Sequence, residues 1–230
     1  MAETPPFPGA IGLSHLRVYE GGGTPHLHTL CTEAYAVVGG RGAVQTLTLA
    51  GGFAETPLEP GALVWFTPGT IHRLVNLGDL EILVLMQNAG LPEAGDMVIV
   101  FDPEVMADPE RYAAAATLPL SERTTAGSGA AARARRDAAV SAFVSLQAAG
   151  EAGLRAFHRA AAALVQPDLD RFGEVWSAGP MRVAADTGEQ LEALARGVTS
   201  HFAGASVHRL APPPDERRMG CCGTLGTYVP

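Results

Sequence analysis

Hydrophobic and polar positions alternate through the first hundred residues and then change period. Ser14-His15-Leu16-Arg17-Val18-Tyr19 alternates with period two, the pattern of a half-buried strand. Runs near 26–30, 33–38, 42–49, 62–66, 71–76 and 80–87 read the same way, and Met97 to Phe101 is a last apolar strand. Gly39-Gly40-Arg41-Gly42 is expected as a hairpin turn, Thr67-Pro68-Gly69-Thr70 as a turn, and Asn76-Leu77-Gly78-Asp79 as another. Many short strands at regular spacing predict a barrel or sandwich.

Beyond Asp102 the period lengthens to that of a helix. Asp102-Pro103-Glu104 and Asp108-Pro109-Glu110 each place an aspartate cap before a proline at the first helical position. Stripes follow at Val140, Phe143, Val144 and Gln147, at Leu154, Phe157, Ala161 and Leu164, and at Leu169, Phe172 and Trp176. Thr187 and Gln190 suggest a capping box ahead of Leu191, Leu194, Val198 and Phe202. Four to five helices are therefore expected between 103 and 203, with their stripes in the core. The expected organisation is α+β: a β-barrel over 1–102 that starts with a proline-rich arm at 1–10, a helical region over 103–203, and an irregular Pro/Gly/Cys tail over 204–230. Pro212-Pro213-Pro214 stiffens that tail, and Gly220 to Tyr228 is expected to pack as a strand or loop on the barrel or on a second subunit.

Composition narrows the chemistry. The formal net charge of −8 argues against nucleic acid as a partner. No apolar run reaches a membrane span, and the first residues carry no signal region, so a cytoplasmic protein is expected. All 16 basic residues are arginine. Without lysine there is no Schiff-base chemistry and no P-loop. The three cysteines, Cys31, Cys221 and Cys222, read as free thiols, and the adjacent pair lacks zinc-site spacing.

The chemistry-bearing residues are concentrated in two short stretches. His26 and His28 are two apart, so on a strand both imidazoles reach one face. Glu33 follows after a segment able to turn, and His72 stands just past Pro68-Gly69. Three imidazoles and one carboxylate suit Fe, Mn, Ni, Co, Cu or Zn better than Mg or Ca. Tyr35 and Gln45 are the expected polar neighbours of the site by strand parity, with Trp65, Leu74, Asn76, Met86 and Asn88 as further walls.

The run from Gly21-Gly22-Gly23 through His26, His28, Glu33 and Gly40, and the run from Gly61 through Gly69, His72 and Asn76, resemble the two signature motifs of the cupin superfamily. Glu20 and Thr67 replace a usual glycine and a usual proline, and neither is a ligand position. The resemblance implies a jelly-roll barrel holding one divalent transition metal on His26, His28, Glu33 and His72, with iron the first choice. It implies a small-molecule substrate and a homodimer. Three functions fit: a dioxygenase-like enzyme, a non-redox isomerase, epimerase or lyase on a sugar or keto acid, and a metal-dependent binding protein without turnover.

Overall fold

The computed structural model describes residues 6–228; residues 1–5 of the expected N-terminal arm and residues 229–230 lie outside the described part. The chain is α+β. Nine strands make one antiparallel sheet rolled on itself: β1 (Gly12–Val18), β2 (His26–His28), β3 (Glu33–Thr48), β4 (Gly52–Leu58), β5 (Leu63–Phe66), β6 (Ile71–Met86), β7 (Met97–Ile99), β8 (Arg218–Met219) and β9 (Gly223–Tyr228). The strand order is β4-β3-β6-β1-β9-β8, with β5 on β3 and with β2 bridging β6 and β7.

β6 shows why this sequence rolls into a barrel. Its even positions His72, Leu74, Leu80, Ile82 and Val84 are buried, while the odd positions between them are more exposed. β3 answers them across the ladder, pairing Tyr35 with Val84, Val37 with Ile82, and Val44 with Leu74. The inward residues of β3 are thus odd-numbered before the glycine run and even-numbered after it. The cause is a set of register shifts between Val37 and Gly42. The hairpin expected at Gly39–Gly42 is instead a bulged bend inside one continuous strand. Gly40 makes the bend feasible: its φ is +67°, and a Cβ there would lie 2.1 Å from the Asp79 carbonyl oxygen. The turn expected at Asn76–Asp79 is likewise a bend within β6. Strand β4 has no counterpart in the sequence reading. Gly52, Glu55 and Pro57 mask it, and Pro57 is tolerated because β4 lies at the edge of the sheet.

The helical region comprises α1 (Pro103–Met106), α2 (Pro109–Ala116), α3 (Ala130–Ala148), α4 (Gly150–Val165), α5 (Leu169–Trp176) and α6 (Arg182–Ala195). The Asp108 carboxylate caps α2 by accepting from the N–H groups of Glu110 and Arg111. Phe143, Leu154, Phe157, Ala161 and Phe172 join the barrel residues in one continuous core. The His158 Nε2 and the Gly69 carbonyl, 2.9 Å apart, tie α4 to the turn before His72. The capping box expected at Thr187 is absent from this structure, because α6 has already run through it and the Thr187 hydroxyl donates back to the Val183 carbonyl. The stripe that follows is not in the core: Leu191, Leu194, Val198 and Phe202 are exposed.

The tail over 204–230 ends in a strand on the barrel, one of the placements expected for Gly220 to Tyr228. β9 adds to the free edge of β1, pairing Val18 with Gly223, Leu16 with Leu225, and Leu13 with Tyr228. Glycine permits the contact, since a Cβ on Gly223 would lie 2.0 Å from the Arg17 carbonyl oxygen. Arg217, itself buried, donates to the His15 carbonyl at 3.0 Å, and the His15 imidazole in turn meets Glu81 at 2.8 Å. The barrel therefore draws its last wall from residues far outside 1–102.

Candidate metal centre and its cavity

β2, β3 and β6 deliver the four sequence-predicted ligand residues to one end of the barrel interior. His26, His28, Glu33 and His72 are all buried. The register explains the meeting, since His26 pairs directly with His72 across β2 and β6. Ligand atoms of His26, Glu33 and His72 lie within 4.8 Å of one another. His28 stands outside that mutual group, with its Nε2 3.5 Å from Glu33 Oε2.

Each imidazole is held from behind. Nδ1 of His26 faces the Thr24 carbonyl at 2.8 Å, Nδ1 of His72 faces the Thr70 carbonyl at 3.1 Å, and Nδ1 of His28 faces Asp96 Oδ2 at 3.0 Å. Carbonyls and carboxylates only accept, so each Nδ1 carries the proton and donates it. In the neutral imidazole this leaves Nε2 with its lone pair, which is the state a metal ligand needs. His72 Nε2 and Glu33 Oε2 are 3.0 Å apart, yet their angles are not those of a hydrogen bond, and both are buried without a partner. Two ligands at right angles on metal bonds of about 2.1 Å would be separated by about 3.0 Å. The residues therefore fit a transition-metal ion, and the orphaned atoms are what such an ion would satisfy.

The electrostatics agree. Burial, reinforced by His72, holds His26 well below the usual histidine value, so it is neutral at physiological pH. Burial pushes Glu33 up, but His72 and His28 outweigh it and hold the carboxyl at about 2. For His28 burial works downward and is outweighed by the Asp96 hydrogen bond and the Glu33 charge, so its value is raised. In Asp96 burial is likewise overcome by hydrogen bonds from His28 and Thr29, and the carboxyl stands at about 2.

A cavity of about 150 Å³ opens beside these residues. Tyr35 lines it, fully buried, with a hydroxyl that has no hydrogen-bond partner. Burial and then Glu33 drive the phenol well above its usual value, so it stays protonated. Gln45 needs correction. It follows the bulged bend, where parity has flipped, so it lies on the outer face opposite Arg73 and its Nε2 donates to Glu55 at 2.7 Å. Asn76 is also outside the cavity. Its side chain accepts from the N–H groups of Gly78 and Leu80 and donates to the Val18 carbonyl, which fixes the bend in β6. Trp65 is 66 % exposed, whereas Met86 does line the cavity.

Three residues escaped the sequence reading. Asp96 holds His28 although no spacing links the two. Cys221 and Cys222 reach the cavity wall because β9 carries them there. Both thiols are buried, and burial raises both values, so they remain protonated.

A family model described as "Cupin domain" matches residues 13–86, which hold all four ligand residues. Residues 13–86 are a cupin domain. Its barrel continues past the match into β7 and β9. Structural neighbours include Streptomyces PAC13 with uridine, 18 % identical over 43 % of this chain and 72 % of that one, with a TM-score of 0.32. A variant of Bacillus subtilis oxalate decarboxylase is 22 % identical over 46 % of this chain and 29 % of that one, with a TM-score of 0.38. A Klebsiella pneumoniae conserved protein with a double-stranded β-helix domain is 18 % identical over 39 % and 71 % of the two chains, with a TM-score of 0.30. No curated protein matches the sequence. Among the described residues, no helix is long and apolar enough to cross a membrane.

Proposed function

We propose that the chain is a metal-dependent cupin enzyme that oxidises a small organic substrate in a dioxygenase-like reaction, with His26, His28, Glu33 and His72 holding one divalent transition metal, iron first. The observation that carries this reading is the common orientation of the three imidazoles, each with its Nδ1 proton committed to an acceptor and its Nε2 free beside Glu33. An ion held there would supply Lewis acidity and, if redox-active, electron transfer to oxygen.

The chain's own residues would do the rest. Tyr35 would donate its hydroxyl proton in a hydrogen bond to an oxygen of the bound molecule, since that hydroxyl is buried without another partner. Leu16, Val84 and Met86 would exclude water from one side of the cavity. The apolar lining favours this reading over isomerase or lyase chemistry on a sugar or keto acid, which needs several polar partners or a cation in the wall. Homodimerisation belongs to the same proposal, supported by the exposed stripe from Leu191 to Phe202, and sedimentation tests it.

The deciding experiment loads the protein with Fe(II), then follows oxygen uptake with a panel of phenols, diols and small acids, beside a His72→Ala variant. Uptake that depends on both iron and His72 is expected. Turnover that proceeds equally under strict anaerobiosis would refute the oxidative reading.

A further inference from the structure

The cavity beside the metal ligands has a size, a charge character and a source of walls that together specify its occupant. Its volume of about 150 Å³ is that of an apolar cavity able to take benzene. Leu13, Leu16, Val84, Met86, Met97 and Leu225 bring large apolar side chains to its wall. The two methionine sulfurs and the two protonated thiols are polarizable groups that contact aromatic rings well. The charged groups in the wall besides the histidines are Glu33 and Glu93, and among the described residues no arginine lines it. A carboxylate entering this space would meet Glu33 and Glu93 and find no arginine to pair with. A sugar would leave most of its hydroxyls unpaired, because only Tyr35, Ser14 and Thr227 offer side-chain hydroxyls.

Part of the cavity boundary comes from the C-terminal strand and the residues just before it. The pairings Leu16 with Leu225 and Ser14 with Thr227 turn Leu225 and Thr227 toward the same face as Leu16. Cys221 and Cys222 precede that strand and also line the cavity. These residues lie well beyond the 13–86 cupin match.

We infer that the cavity is selective for uncharged molecules of one aromatic ring carrying at least one hydroxyl, and that Leu225 with Cys221 and Cys222 sets the upper limit on their size. The inference deepens the proposed function, since it rests on this cavity being the substrate site. A phenol-sized ring fills the space, its hydroxyl meets Tyr35, and its faces meet Met86 and the thiols. A second fused ring is stopped by Leu225.

Calorimetric titration of the full-length protein with phenol, catechol, 1-naphthol, benzoate and glucose tests this, with metal content measured on the same samples. Phenol and catechol are expected to bind saturably, and benzoate and glucose at least tenfold more weakly. Leu225→Trp fills the cavity and is expected to abolish phenol binding with metal stoichiometry retained. Leu225→Ala is expected to admit 1-naphthol, which wild type rejects, and it decides the size limit if the tryptophan variant does not fold. Benzoate or glucose binding as tightly as phenol, no ring binding by metal-loaded protein, or unchanged naphthol rejection in Leu225→Ala would each overturn the inference. Ring binding without metal uptake would instead count against the proposed function alone.

Discussion

Replacing Asp96 by asparagine exchanges one oxygen for an amide nitrogen and should cost the site a ligand. Asp96 is fully buried, and its two oxygens have different duties. Oδ1 accepts from the Thr29 hydroxyl and from the Leu30 N–H, both at 2.6 Å, while Oδ2 accepts from His28 Nδ1 at 3.0 Å. In Asp96→Asn the amide oxygen must stay where two donors converge, so the NH₂ group is forced toward His28. Donor then faces donor, and His28 relieves the conflict by moving its proton to Nε2, the nitrogen that should hold the metal. Loss of such an outer partner weakens metal affinity about 10- to 100-fold, or about 1.4 to 2.7 kcal/mol. The metal-free protein also loses a charge-assisted hydrogen bond worth about 1.5–3 kcal/mol, which for a chain of this size lowers Tm by about 3–12 °C. Competition against a chromophoric chelator measures the first effect and calorimetric melting the second. Wild-type metal affinity in a folded Asp96→Asn protein would refute the claim that Asp96 sets the His28 tautomer.

Other outcomes follow from the same geometry. Gln45→Ala should leave metal affinity unchanged, because its amide is spent on Glu55 at the outer face; equilibrium dialysis checks this. Glu33 and Asp96 both titrate at about 2 in the fold, below their ordinary values of 4.5 and 3.8. Their stabilisation is present above pH 4.5 and lost as the pH falls toward 2, so melting of metal-free protein across that window should show a steep drop. Arg217→Met removes two donors to His15 and should destabilise by about 1–3 kcal/mol, read by urea unfolding. Gly223→Ala drives a methyl into the Arg17 carbonyl and should release β9, with hydrogen exchange rising across residues 12–18.

What the sequence discloses depends on how far apart the cooperating residues lie. His26, His28 and Glu33 sit within one short stretch, and strand parity alone aligns the two histidines. Apart from β4, the strands of 12–99 were legible for the same reason, as alternation is a local property. Gln45 is hard to place because the glycine run expected as a hairpin is a bulge inside one strand, and one shifted residue turns every later side chain to the other face. Asp96 is 68 positions from His28, and Cys222 is 189 positions from Glu33, so no local pattern joins them. Helical stripes were readable on α3, α4 and α5, but amphipathicity does not name the partner: Val144, Leu169 and Trp176, expected in the core, are exposed, and the α6 stripe faces outward.

The placement of β9 also imposes a timetable on synthesis. The four candidate metal ligands and the β1 edge leave the ribosome early, whereas Gly223–Tyr228 follow only after the whole helical region. The intervening stretch of about 120 residues takes about 6–25 s to translate at about 5–20 residues per second. During that interval β1 has an unpaired edge, which is a template for wrong partners. On the proposed function, the candidate ligands are in place before the wall that would select a substrate exists, so metal loading and substrate discrimination would be acquired at different moments in the life of the chain.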